Sequence, residues 1–202
     1  MILFTMVVPV ERSGHSSHQL DALIHRMAQG DKEALASLYE STKAAVYGFA
    51  LSVLKDVDHA EDITQDAFLQ FYHSAGSYRS QGKPMAWIMT ITRNLALSKL
   101  REQSRALPLE DAHLTALSHN PMVDQEDLLT LDSLLSLLDD QERQIVTLHA
   151  LTGLKHREIA QLLSLPLPTV LSKYHRSIKK LNTAWKEACR YLFNGRAPYT
   201  GS

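Results

Sequence analysis

The chain has 202 residues, of which 45% are hydrophobic, 21% charged and 7% aromatic. That length and balance fit one or two small domains with apolar cores and exclude a disordered tail or a collagen-like fibre. A single cysteine, Cys189, excludes an internal disulfide framework and a multi-thiolate metal site, so a reducing cytoplasm is the expected compartment. The formal net charge of −1 conceals strong segregation. Acids outnumber bases nine to four over 19–75, and bases outnumber acids six to one over 76–105. The stretch 106–142 then holds nine acids and no Lys or Arg, whereas 143–202 holds ten bases against Glu158 and Glu187. Two basic zones separated by an acidic one offer a polyanion two places to bind. Solvated helix faces are the plainer source of such blocks.

Met1 to Val10 is apolar, but it lacks a basic leading region, contains Thr5 and Pro9, and is about half the length of a bilayer span. It reads as an untargeted flexible extension over 1–18, with no membrane insertion. No strand run follows. Gln19 to Ala28 is predicted as a short helix ending at Gly30, and Asp31 caps a long helix reaching about Leu54. In that helix Leu35, Leu38, Ala45, Val46, Phe49 and Val53 recur at three- and four-residue steps, which buries one face. Asp58 with Glu61 forms a capping-box-like pair opening a third helix, whose inner stripe is Ile63, Ala67, Phe68, Phe71 and Tyr72. Gly76 to Gly82 is a polar loop. Pro84 opens a fourth helix through Trp87, Ile88, Ile91 and Leu95 to Leu100.

Ser104 to Asp124 has Pro108, Pro121 and no sustained periodicity, so it reads as a linker. Helical periodicity resumes at Asp127 to Leu138, Asp140 to Leu151, Lys155 to Leu163 and Thr169 to about Leu192. The expected division is therefore a first domain over 19–103, a linker over 104–125, a second domain over 126–193 and a frayed tail over 194–202. The fold class is all-α, two small helical domains joined by a flexible linker.

HREIAQLLSLPLPTVLSKYH in the second domain has the layout of a helix-turn-helix. Ala160 is small where two helices cross, Ile159, Leu162, Leu163, Val170 and Leu171 pack the pair, and Ser164 to Pro168 makes the turn. The second helix keeps Thr169, Ser172, Lys173, His175, Arg176 and Lys179 outside, and a basic helix bearing hydroxyls is what major-groove docking requires. A helical hairpin with a solvated basic face is the competing reading. Ser164 stands where Gly would more easily adopt positive φ, and Pro168 replaces a side-chain cap.

DVDHAEDITQDAFLQFYHSAGSY followed by PMAWIMTITRNLALSKLRE resembles region two of the extracytoplasmic-function sigma factors of the sigma-70 family. LLSLLDDQERQIVTLHALTGLKHREIAQLLSLPLPTVLSKYHRSIKKL resembles their region four, and the likeness spans roughly 21–185 in the family's order. The resemblance implies a bacterial transcription initiation factor that binds core RNA polymerase and directs it to promoters through the minus-ten and minus-thirty-five elements. It implies that the helix matching Asp58 to Ser74, with Asp58, Glu61, Asp62, Gln65 and Asp66, docks on the clamp coiled coil of the polymerase largest subunit. The loop and helix matching Ala75 to Arg101 would open and read the minus-ten element, and the second helix of region four would read the minus-thirty-five element. Where this chain has PLPTVLSKYHR, the family usually shows Gly before the Thr-Val pair and a further basic residue near Leu171.

The residues themselves suit those roles. Tyr78, Arg79 and Lys83 in and beside the loop offer stacking and charge for unstacked bases, with Trp87 a core anchor before it is a platform. Arg93, Asn94, Lys99 and Arg101 lie on or near one face of the fourth helix, where they can hold duplex phosphates. For each acid of the third helix, capping and solubility are equal alternatives to polymerase contact. The ten histidines form no dense ligand set, so no metal and no cofactor are expected, and the absence of nucleophile, phosphate-loop and zinc-protease motifs leaves no small-molecule substrate and no enzymatic activity to expect. By resemblance the inhibitor is a separate anti-sigma protein, with a compact inhibited form and an extended active form exchanging through Ser104 to Asp124. Two other readings are a regulator using the second domain alone and a helical adaptor that never touches DNA.

Overall fold

The computed structural model describes residues 16–106 and 131–194. These form eight α-helices: α1 (Ser17–Ala28), α2 (Lys32–Leu54), α3 (Val57–Ser74), α4 (Pro84–Ala106), α5 (Leu131–Ser136), α6 (Asp140–Thr152), α7 (His156–Leu163) and α8 (Leu167–Asn194). A single 3-10 turn, Ala75–Ser77, follows α3. Among the described residues there is no strand, and no helix is long and apolar enough to cross a membrane.

Side-chain caps set several helix starts. Ser16 accepts from the Gln19 N–H while Gln19 reaches back to the Ser16 N–H, a reciprocal pair that opens α1. Asp31 accepts from the Glu33 and Ala34 N–H groups at the head of α2 and also holds Arg26 at 2.6 Å. The Arg26 guanidinium first, and then the backbone donors, hold its carboxyl below the usual carboxylate range. The third helix corrects the expectation of an Asp58 cap. Asp56 is the cap, with extended backbone and a 2.8 Å bond from the His59 N–H, which leaves Asp58 in the first turn as a dipole partner. The fourth helix runs to Ala106, past the expected linker start at Ser104, because nothing in Gln103 to Arg105 breaks it. The extension expected over 1–18 ends earlier, at Ser16, which caps α1; 1–15, 107–130 and 195–202 lie outside the described residues.

The first four helices pack around α2, with Ile24, Met27, Leu38, Val46, Phe49, Phe71, Ile88 and Met89 almost wholly buried. Tyr39, Phe68 and Phe71 form a chain of edge-to-face rings at 4.8 and 5.2 Å. Each such pair adds about 0.5–1.5 kcal/mol beyond area burial. In the second group Ile145, Leu148, Ile159 and Val170 are fully buried where α6, α7 and α8 meet. The two groups abut: α6 lies along α2, and Ile145, Leu148 and Leu154 belong to the same buried cluster as Phe49 and Val53. Lys55, the left-handed C-cap of α2, pairs with Asp140 at 2.5 Å, and Lys83 pairs with Glu158 at 3.5 Å. Gly48 makes the close approach possible, since a Cβ there would lie 2.5 Å from Leu151 Cδ1. A methyl group could be met by rotation of Leu151, but an aromatic ring could not. Gly48→Phe is expected to separate α6 from α2 with helical content unchanged, read as a larger radius of gyration in small-angle scattering.

Candidate nucleic-acid interface

Helices α7 and α8 meet at a tight turn whose geometry follows from its residues. Ser164 ends α7 in the left-handed region at φ 57°, and the Leu165 N–H donates to Ala160 O at 2.9 Å. Serine therefore takes the positive-φ position that glycine would hold more easily. Ile159, Ala160, Leu163 and Val170 are buried at the crossing. Glu158 accepts from the Lys155 N–H at 2.9 Å and so caps α7. Behind the pair, the Tyr174 ring stands edge-on to His149 and His156 at 4.9 and 4.6 Å, and the two imidazoles stack at 4.6 Å. His149 Nδ1 faces Leu154 O at 3.0 Å, whereas His156 Nε2 is buried without a hydrogen-bond partner.

The cations of α8 divide into two sets. Lys173 was expected outside, but its side chain is only 15% exposed and donates to Asp139 at 2.8 Å. Lys180 reaches Glu142 at 2.7 Å, and Glu142 is buried. Asp139 and Glu142 also cap α6 reciprocally, so both lysines brace the start of that helix. Burial pushes the Asp139 carboxyl up, but Lys173 and the Glu142 N–H outweigh it and hold it below the usual carboxylate range. Ser172, His175, Arg176 and Lys179 remain on the exposed face, with Thr169 half-buried beside them. Leu171, expected in the packing, is exposed there too, as is Leu167.

In the first group Tyr78 corrects the expectation of an exposed stacking platform. It is buried, its ring is 5.0 Å from Trp87, and its hydroxyl donates to Asp21 of α1. Burial first, and the Asp21 carboxylate second, raise its pKa above the usual tyrosine value. Trp87 is half-buried between Tyr78 and Phe71, a core anchor. What the loop presents to solvent is Arg79, Ser80, Gln81 and Lys83, with Gly82 at φ 70°. Along α4, Asn94 and Arg101 are exposed two turns apart on one line, and Arg93 is half-buried beside them. Lys99 faces elsewhere, into a 280 Å³ cleft between α3 and α4 lined also by Asp62, Gln65, Asp66 and Glu102. Asp58 and Glu61 are exposed one turn earlier on α3. Leu69, 58% exposed one turn beyond Gln65 and Asp66, extends that surface; its three- and four-residue spacing from those two was the signal that could have found it. Among the described residues no group of His, Cys, Asp and Glu is arranged to hold a metal ion.

Two family models match in order, Sigma-70 region 2 over 38–106 and Sigma-70 region 4 over 128–181. The ECF RNA polymerase sigma factor SigK of Mycobacterium sp. strain KMS is 33% identical over 171 residues, covering 80% of this chain and 88% of its own. The chain belongs to the extracytoplasmic-function sigma factors. As a sigma factor it is a transcription initiation factor that directs RNA polymerase to promoters. SigK of Mycobacterium tuberculosis strain H37Ra is 28% identical over 174 residues, covering 82% and 92%. The fold is shared with the sigma factor RpoE in its complex with the anti-sigma factor NepR from Bartonella quintana, at TM-score 0.60 and 22% identity over 75% of this chain and 96% of that one. It is shared also with CnrH in complex with the cytosolic domain of CnrY, at TM-score 0.56 and 22% identity over 84% and 98%. A regulator built on the second helical group alone, or an adaptor without DNA contact, does not account for both regions.

Two outcomes test this sigma factor's region 4. Arg176→Ala and Lys179→Ala should each lower the logarithmic salt slope of promoter binding by about 0.9. Lys173→Ala should leave the slope unchanged and cost about 1 kcal/mol of stability in urea titration. The second concerns His156, whose pKa lies below its ordinary value because burial first, and then His149 and His175, disfavour its charge. The unfolded chain takes up that proton below about pH 6.5 while the folded chain does not, so the contribution is present above that pH and is lost as pH falls. The urea midpoint of the wild type should therefore drop between pH 7.5 and 5.5 by more than that of His156→Gln.

Proposed function

We propose that this sigma factor docks on core polymerase through the α3 surface of Asp58, Glu61, Asp62, Gln65, Asp66 and Leu69. Arg79, Lys83, Arg93, Asn94 and Arg101 engage the minus-ten element, and Thr169, Ser172, His175, Arg176 and Lys179 engage the minus-thirty-five element. Lys99 belongs with the polymerase-facing cleft, and Tyr78 and Trp87 hold the loop in place from beneath. The observation that carries this reading is that an exposed acidic stripe and two exposed cationic faces occur in one chain, in the regions that match the family. The polymerase does the chemistry and the sigma factor catalyses no reaction, acting in the cytoplasm where polymerase and promoter are. The expected domain limits at 19–103 and 126–193 follow the same division.

The two promoter elements lie up to about 25 base steps apart, roughly 85 Å at 3.4 Å per step. Helices α6 and α7 packed on α2 and α4 cannot span that distance, so promoter binding requires the two groups to part, with the segment between the two matched regions as the tether. By analogy with RpoE held by NepR and CnrH held by the cytosolic domain of CnrY, an anti-sigma protein would keep this chain from polymerase.

Run-off transcription with core polymerase and a genomic fragment library should give start sites that core polymerase alone does not give. The double reversal Asp62→Lys and Asp66→Lys should weaken association with core polymerase by at least about tenfold, because the charge of the docking face is reversed at two positions. Circular dichroism should be unchanged, since both side chains are exposed. Association at the wild-type level would move the docking face elsewhere.

A further inference from the structure

Among the described residues, two of the exposed large hydrophobics are Leu167 and Leu171, each 37% exposed, in the first turns of α8. They are four residues apart and so lie on one line of the helix. Val170, fully buried next to Leu171, fixes the rotation of α8, so the leucine line has a defined bearing relative to α7. Ser172 and His175 are exposed beside it, and Arg176 and Lys179 follow toward the C-terminus. The apolar and hydroxyl groups thus come first along the helix and the cations later. A recognition helix meets base edges with its N-terminal residues, while cations grip the flanking phosphates.

We infer that Leu167 and Leu171 form an apolar reading edge that selects thymine in the upstream element through the thymine 5-methyl group. This rests on the reading of α8 as the upstream reader and adds the base it prefers. The four standard bases present donors and acceptors to the major groove, and only thymine adds an apolar group there. Hydroxyl and imidazole neighbours can serve several bases, so the leucines are what biases the choice. Burying one methyl-sized group corresponds to a preference of about fourfold.

The full chain, assembled with core polymerase, is offered promoter duplexes randomised over the upstream element with the downstream element fixed. The wild type should enrich thymine at one or two adjacent positions. Deoxyuridine at those positions removes only the methyl group and should weaken the complex about fourfold. That loss should vanish in the Leu167→Ala and Leu171→Ala double variant, whose fold is checked by circular dichroism because each leucine is only 37% exposed. A deoxyuridine penalty that persists in the double variant overturns the inference, as does an upstream preference without thymine, and in both cases α8 remains the upstream reader. If the wild type enriches nothing upstream, the reading of α8 falls together with the inference. A double variant with unaltered base preference and weaker polymerase association also overturns it, and assigns the leucines to the polymerase.

Discussion

Everything described here hangs on α2, a helix whose C-terminal half is enclosed on every side. Ten of its residues are buried, no residue from Ala45 to Leu54 is exposed, and α1, α3, α4 and α6 all pack against it. A stretch enclosed all round can only be an interior element, whereas the N-terminal half keeps Lys32, Glu33, Glu40 and Lys43 in water. Around it α1, α3 and α4 find their places, and its C-terminal half offers the seat for α6. Gly48 sets how closely that seat fits, and Lys55, at the end of the helix, adds an ion pair to the rim. The position of the acidic α3 face relative to the cationic loop, and of both relative to the helix-turn-helix, is inherited from this one core.

Charge on α8 is divided between structure and recognition. Lys173 and Lys180 close onto Asp139 and Glu142, which are themselves the caps of α6. Because Glu142 is buried, its carboxylate depends on Lys180 and on the Asp139 N–H for compensation. These pairs fix α8 on α6, and the exposed Arg176 and Lys179 are thereby carried on a helix whose orientation is already determined. The same economy appears in Arg143, which donates to Leu135 O and Leu138 O and ties α5 to α6 instead of facing solvent.

The helix order, the cap at Asp31 and the helix-turn-helix were legible because they are local: a cap is written within four residues and a helix period within two turns. Tyr78, Lys173 and Lys99 were misplaced because their surroundings come from distant segments. Tyr78 is held by Asp21, Lys173 by Asp139 and Lys99 by a cleft with α3, none of which periodicity can see. Asp58 with Glu61 matched a reciprocal pattern, whereas the cap is Asp56, which has extended backbone directly after the left-handed Lys55. The packing of α6 on α2 was equally hidden, since an apolar face does not state which of two available partners will cover it.

Glu158 holds two partners at once, the Lys155 N–H that it caps and the Lys83 ammonium across the boundary between the two helical groups. The first bond is internal to α7 and survives any change in how the groups sit. The second, at 3.5 Å with Lys83 half exposed, belongs to the class of ion pairs that mobile salt screens and that contribute no more than about 1 kcal/mol. The molecule therefore has a clasp whose fixed half needs nothing from the other side. Unfastening it frees Lys83 and disturbs no turn of the helix-turn-helix, while the apolar contact of α6 with α2 still holds the boundary.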